Sequence, residues 1–494
     1  MLIAWFNIFL FTALVPQSEA ASQPVPWKSD SALVFLHRSA GLVAPENTVP
    51  AFEAAVRQGA DGIETDIRKT RDGEFVIYHD DWVLRQRGPT GKIEEMTLEE
   101  TLRLDVGERF GPQWRGIRLP FFGDLLRFAK ANDLLLYLDI KTPGIYEEVM
   151  QVVKLAGCLR LVYATGGQVP QGNYHLPIPW IAGWNYSDGG EEDPDRMREA
   201  IAKAPKGVYG IMCDDARSIV RALGRHPEKR SLVPFVSTMS SRLKSHKSRE
   251  SDTCPSFTAH DLAAPDLRTR RGACLFFAQK PDSTVLSGLC TLAEHDPDFI
   301  VRQEACWALG SLRDARAADV LFHIAQTPYN QKTAASTGYR DFFLKTAAGC
   351  ALARLNADAG RAALNKLIES SSEGDRSAAA IGLAVFGTEK DIPTLVSLVE
   401  PVDESDRLAA DFVVGYAGRF GAKAIPIYVA GLSRGDIAKA AVFRLAAIGK
   451  KALPAIRKVQ EDQSAPLKVR RRALLAERWM NDEPVRDPLN TLAK

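Results

Sequence analysis

Cysteine is scarce in this sequence, with seven in 494 residues. The odd count leaves at least one thiol unpaired, and the low density excludes a scaffold built on disulfides. Cys254 and Cys274 flank a loop-like stretch and are the candidates for a single bridge, whereas Cys306 and Cys350 fall on apolar helical faces and read as buried small hydrophobes. An excess of either charge is also missing: 63 Lys and Arg stand against 61 Asp and Glu, which gives no basis for nucleic-acid binding. Long apolar runs are absent too. The longest, Leu2 to Val15, is shorter than the roughly 20 residues that cross a bilayer. With Ser18 and Ala20 after it as small residues at a cleavage site, it reads as a signal peptide over residues 1–20, although no Lys or Arg precedes it. The expectation is an exported chain, periplasmic or secreted, that does not span a membrane. The rest has an ordinary globular composition, 46% hydrophobic and 25% charged, in a chain long enough for more than one core.

Chemistry concentrates in the first third. His37 ends the apolar run Ala32 to Leu36, and His79 ends the run Phe75 to Tyr78. Between them lies Glu64-Thr65-Asp66 on a third strand-like run. Residues i and i+2 of a strand project to one side, so Glu64 and Asp66 are placed to hold one cation together. Asp139, after the run Leu134 to Leu138, supplies a third carboxylate, and Lys141 a cation for a phosphate. Strands alternating with helices would gather these groups at the carboxyl ends of a parallel sheet, where barrel enzymes keep their sites. Two histidines for proton transfer beside clustered carboxylates make up the equipment for metal-assisted phosphate-ester chemistry. Glu46-Asn47-Thr48 reads either as a cap for the helix that follows or as a substrate contact.

The motifs run in a recognisable order. Leu36 to Thr48, then Gly59-Ala60-Asp61-Gly62-Ile63-Glu64-Thr65-Asp66, Thr70-Arg71-Asp72-Gly73, His79-Asp80, Met96-Thr97-Leu98 and Asp139-Ile140-Lys141 resemble the glycerophosphodiester phosphodiesterase family from about residue 33 to 142, and more weakly to about 224. The resemblance implies a TIM-type α/β barrel that hydrolyses glycerophosphodiesters to sn-glycerol 3-phosphate and an alcohol, the neighbouring glycerol hydroxyl attacking phosphorus first. It further implies that Glu64, Asp66 and Asp139 bind Ca2+ or Mg2+, that His37 and His79 are general base and general acid, and that Arg38 and Lys141 contact the phosphate. Glu46, Asn47 and Trp184 are the candidates for positioning the substrate. The sequence departs from the family pattern at Ser39, where glycine is usual, and at Asp139, where glutamate is usual. The stretch from Lys141 to Asp214 is short for the remaining strand and helix units, which implies either a barrel short of a unit or reduced later helices. Strands are expected at Leu159 to Thr165, Ile178 to Trp184 and Gly207 to Met212, helices at Ile145 to Leu155, Pro194 to Lys203 and Ala216 to Leu223, and Leu232 to Val236 reads as strand or linker.

The second half repeats. Arg302, Lys345, Arg376, Arg407, Lys439 and Arg470 each open an Ala-rich helix, spaced by 43 and then by 31, 31, 32 and 31 residues. Helix pairs at that period stack into a solenoid, and they resemble short HEAT repeats. The domain reading is a signal peptide at 1–20, a barrel at 31–239, a linker at 240–285, HEAT-like repeats at 286–482 and a tail at 483–494. Nothing in the repeats looks catalytic; they suggest a surface for a protein partner, or a lid or rigid extension of the barrel. Two other readings compete with glycerophosphodiester hydrolysis: lysophospholipase D or phosphatidylinositol-type phospholipase C chemistry on lipid diesters, and a non-catalytic binding scaffold.

Overall fold

The computed structural model describes residues 33–40, 43–80, 83, 92–165, 180–181, 210–213, 216, 219–220, 223–225, 231–238, 256–328, 339–355, 358–400, 407–435 and 437–481. The expected signal peptide and tail, Trp184, Cys254 and the helix at Pro194 to Lys203 lie outside them.

Short β-rich runs become strands, most of whose described side chains are buried. These are β1 (Leu33–Leu36), β2 (Gly62–Lys69), β3 (Phe75–Ile77), β4 (Leu135–Ile140), β5 (Val162–Thr165), β6 (Trp180–Ile181) and β7 (Gly210–Cys213). They form one sheet in the order β5-β4-β2-β1-β7-β6, all parallel, with β3 added antiparallel on β2. The parallel strands follow chain order outward from β1, and the last strand returns to pair with the first, Leu33 opposite Gly210. That wrap-around is barrel wiring. Six parallel strands lie among the described residues. Gly62 is required where β2 crosses β1, since a Cβ there would stand 2.4 Å from the Phe35 ring.

Helices α1 (Val49–Arg57), α3 (Phe122–Ala131) and α4 (Tyr146–Leu155) lay apolar stripes on the sheet, among them Phe52, Val56, Leu125, Leu126, Val149 and Val153. Burying each such side chain contributes about 1.5–3 kcal/mol. Between β3 and α3 the chain builds a separate small core from Val76, Ile93, Met96, Leu98, Leu104, Leu119 and Phe121. It carries α2 (Leu98–Leu102), whose Thr97 and Glu100 form a reciprocal capping box.

The C-terminal half is helical, as its period predicts. Helices α5 (Leu267–Gln279), α6 (Leu286–His295), α7 (Phe299–Leu312), α8 (Ala318–Ala325), α9 (Tyr339–Arg354), α10 (Asp358–Ile368), α11 (Glu373–Phe386), α12 (Ile392–Val399), α13 (Arg407–Tyr416), α14 (Ile425–Gly431), α15 (Ala438–Ile448), α16 (Leu453–Glu461) and α17 (Leu467–Met480) share one continuous apolar core. Small residues let the helices close up: a Cβ on Gly349 of α9 would meet the Ala378 carbonyl of α11 at 2.1 Å. Among the described residues no helix is long and apolar enough to cross a membrane.

Three expectations are corrected. Residues 259–285 are not linker. They form α5 and two short 3-10 turns, and Leu262, Ala273, Cys274 and Phe277 enter the solenoid core. Cys274 is accordingly a buried free thiol whose pKa burial pushes up. Leu159–Leu161 is a 3-10 turn, with the strand beginning at Val162. Leu232 to Val236, open in the sequence between strand and linker, is not a strand. Its backbone is held by the Asn132 side chain, which accepts from Val233 N at 2.8 Å and donates to Val233 O at 3.0 Å.

Candidate active site

Strand register assembles the acidic cluster. β2 and β4 pair with Asp66 beside Asp139, and Glu64 precedes Asp66 by two residues on the same face. One carboxylate oxygen from each of the three lies within 4.8 Å of the others. Glu64 and Asp66 are buried and Asp139 is half-buried. Burial, reinforced by the Asp66 charge, pushes the Glu64 carboxyl up to about 7, against the opposing pull of His37 and the Arg38 amide. That amide donates to Glu64 Oε2 at 2.7 Å.

The loop leaving β1 is tightly wound. Arg38, Ser39 and Ala40 are all left-handed, with φ of 46°, 60° and 73°, a conformation that is costly for residues with a Cβ. At Ser39, where glycine was the expected residue, the hydroxyl donates to the Glu64 carbonyl at 3.1 Å and ties the loop to β2. Asn47, with φ of 56°, does the same from the other side. Its Nδ2 donates to Asp66 Oδ2 at 2.7 Å, while its Oδ1 accepts from Thr65 Oγ1 at 2.7 Å. Asn47 therefore orients a carboxylate, and Thr48, at the N-cap of α1, makes no side-chain cap bond.

The Lys141 ammonium lies 2.6 Å from Asp139 Oδ2 and 3.2 Å from Asp66 Oδ1. Burial disfavours its charge, but these carboxylates outweigh that and raise its pKa. Asp66 Oδ1 is buried and takes no aligned hydrogen bond. Three clustered carboxylates, with the one ammonium set against two of them, leave surplus negative charge. That all-oxygen donor set fits a hard divalent cation.

The two histidines differ. Burial lowers the pKa of His37; Glu64 and Asp66 oppose it, while Arg38 and Lys439, the latter on α15 of the solenoid, add to it. A neutral imidazole is the form that accepts a proton. His79 Nδ1 donates to Asp80 Oδ1 at 2.8 Å, and its Nε2 accepts from Arg38 Nη2 at 2.9 Å. A guanidinium cannot accept, so Nδ1 carries the proton in this arrangement. Arg38 also pairs with Glu46 at 3.2 Å, and Glu46 with Arg109 at 2.7 Å. Burial would raise the pKa of both Glu46 and Asp80, but Glu46 is held down by Arg109 and Arg38, and Asp80 falls to about 2 beside His79 and Arg109.

Arg68, Arg109 and the role of Asp80 escape a reading of the sequence. Arg68 is buried on the face of Glu64 and Asp66 and donates to Tyr78 O, His79 O and Glu94, fixing the strand end that carries His79. The alternation that singles out Glu64 and Asp66 extends to Arg68 and was the available signal. Arg109 lies far along the chain, with no motif to mark it. Beside His79 opens a cavity of about 370 Å³ that reaches Glu46 and Asn47; Tyr78, Leu104 and Val106 line it together with Arg103, Arg109 and Arg118.

Comparison with known proteins agrees with this geometry. Residues 37–166 match the model of the glycerophosphoryl diester phosphodiesterase family, and residues 259–337 match HEAT repeats. A glycerophosphodiester phosphodiesterase of Caldanaerobacter subterraneus is 38% identical over 127 residues, 25% of this chain and 52% of that protein. One of Bacillus subtilis is 31% identical over 149 residues, 28% of this chain and 50% of that protein. The chain thus spans about half the length of the curated relatives it matches. A phosphodiesterase of Oleispira antarctica, solved with sn-glycerol-3-phosphate, is 18% identical, covering 39% of this chain and 96% of that one at a TM-score of 0.30.

Proposed function

We propose that this chain hydrolyses glycerophosphodiesters to sn-glycerol 3-phosphate and an alcohol, with a divalent cation held by Glu64, Asp66 and Asp139. The observation that carries the reading is the convergence of those three carboxylates with His37 and Arg38 at the carboxyl ends of parallel strands, and with His79, which follows the antiparallel β3 and meets Arg38. Bound there, Ca2+ or Mg2+ would offset the charge of the diester and of the equatorial oxygens as bonds change at phosphorus. His37, held neutral by burial, takes the proton of the attacking glycerol hydroxyl. His79 delivers one to the departing alkoxide, and the two exchange roles when water opens the cyclic ester. Arg38 occupies His79 Nε2, the nitrogen that must carry the transferred proton while Nδ1 stays on Asp80. The substrate phosphate draws Arg38 off that nitrogen, so binding and readiness for proton transfer are linked. Lys141, beside Asp66 and Asp139, would be the second phosphate contact with a cation held by those carboxylates.

The cavity beside His79 sets arginines among Tyr78, Val83, Leu104, Val106, Leu119 and Tyr416, a lining that accommodates small glycerophosphodiesters and lysolipids alike. Export through residues 1–20 belongs to the same proposal, and the secreted protein should begin at Ala21. The test is release of sn-glycerol 3-phosphate from glycerophosphocholine and glycerophosphoethanolamine with Ca2+, Mg2+ or EDTA, native chain against His37→Ala. Metal-dependent release lost in the variant supports the reading. A native chain inert on these diesters under every metal defeats it and turns attention to lipid diesters and then to a scaffold role.

A further inference from the structure

The solenoid does not stand apart from the site. The turn after α13 lies on the loop that carries Arg109, and a Cβ on Gly418 would stand 2.3 Å from the Arg109 carbonyl oxygen and 2.7 Å from the Phe110 carbonyl carbon. Backbone therefore packs on backbone. Phe110 is gripped from the same side by Arg444 of α15, whose guanidinium lies 4.1 Å from the ring centroid, with Nη1 3.4 Å from the Phe110 carbonyl. The Arg109 guanidinium lies near two rings, with its centre 4.9 Å from the Phe110 centroid and 5.9 Å from that of Tyr416, the last residue of α13. Tyr416 is buried and also lines the cavity beside His79.

From Arg109 the contacts run directly into the site. One nitrogen meets Glu46 at 2.7 Å and the other faces Asp80 at 3.9 Å. Glu46 holds Arg38, and Asp80 holds His79. Burial opposes the charge of Arg109, and Glu46, Tyr416 and Asp80 more than restore it. A half-buried guanidinium held by the Glu46 carboxylate, with Asp80 nearby and two aromatic faces beside it, has little freedom to move without carrying its partners along.

We propose that the helical-repeat domain is a working part of the active site: its Tyr416–Gly418 corner fixes Arg109, a positioning residue that orients Glu46 and Asp80 and through them Arg38 and the proton-donating His79. This rests on the phosphodiesterase reading for its chemistry, but not for its geometry. The first partner of the repeats is then the barrel of the same chain, and loosening the seam impairs proton delivery to the leaving oxygen more than it impairs substrate binding.

The test uses the full chain with cation and the variants Tyr416→Ala and Gly418→Val, with Arg457→Ala, an exposed residue paired with Glu477, as the control. Two substrates share the glycerophosphate half: glycerophosphoethanolamine, whose alkoxide needs a proton to leave, and glycerophospho-p-nitrophenol, whose phenolate does not. The expected result for Tyr416→Ala is a fall in kcat of about tenfold or more on the first and less than about threefold on the second, with KM little changed. Equal losses on both substrates would mean mere structural damage and would overturn the proposal. Hydrogen exchange supplies the second readout: amides of residues 105–119 and 78–80 should exchange faster in Tyr416→Ala than in Arg457→Ala, and unchanged exchange overturns the proposal whatever the substrate. If Gly418→Val does not fold, Tyr416→Ala carries both measurements. A native chain inert on both substrates would defeat the phosphodiesterase reading, while the exchange comparison would still decide whether the solenoid holds the Arg109 loop.

Discussion

Buried charge is used in opposite ways in the sheet and in the solenoid. At the strand ends Glu64, Asp66 and Asp139 crowd together, with the Lys141 ammonium set against Asp139 and Asp66. In the solenoid Lys345 pairs with Asp375 at 2.7 Å and also donates to Thr327 O, while Arg361 pairs with Asp391. Each of these two pairs joins residues 30 apart, one repeat to the next. Charge left in surplus marks a place where something is to be bound, and charge matched across a repeat marks construction.

That contrast can be tested from both sides. The largest effect belongs to the surplus. Asp66→Asn should lower kcat/KM on glycerophosphoethanolamine by about 10³-fold while leaving the thermal midpoint of the cation-free protein unchanged or raised, because a crowded buried charge is removed. A coincident loss of stability would place Asp66 among the structural charges instead. His79→Ala should cost about 10²–10⁴-fold on the same substrate and much less on glycerophospho-p-nitrophenol.

The matched charges should respond in reverse. Lys345→Met strands Asp375 in the core and should destabilise the solenoid by about 3–5 kcal/mol; denaturant unfolding reads that loss, and kcat at low temperature should stay within about twofold of native. The smallest effect is one of pH. With its carboxyl pushed up to about 7, Glu64 is mostly protonated in mildly acidic solution, so a bound cation must displace that proton. Calorimetric cation affinity should rise about tenfold per pH unit below 7 and level off above it, and Glu64→Gln should remove the slope.

How much of this is visible in the sequence depends on the distance between the groups that interact. Glu64, Asp66 and Asp139 can be read because alternation along one strand and parallel pairing with the next follow from local pattern. The repeats can be read because period is a local property copied many times. Arg109 cannot, since its meaning comes from Glu46, 63 residues away, and from Tyr416 on another domain. Gly418 looks from sequence like one more helix-closing turn residue, whereas its lack of a side chain is what admits the Arg109 loop. Helix α5 was missed for a compositional reason: its basic surface resembles a linker, and only Ala273, Cys274 and Phe277 of its 13 residues are buried.

Because the repeats follow the barrel in the chain and return to it at Tyr416, Gly418 and Arg444, they are tied to it once by the chain and once by that seam. An open-ended array can gain or lose a unit of about 31 residues and still present a similar face. Here one unit more or less between α7 and α13 would carry Tyr416 a full repeat away from its seat. On the proposed role of the seam, the number of repeats before it is fixed by the need to seat Tyr416 on the Arg109 loop.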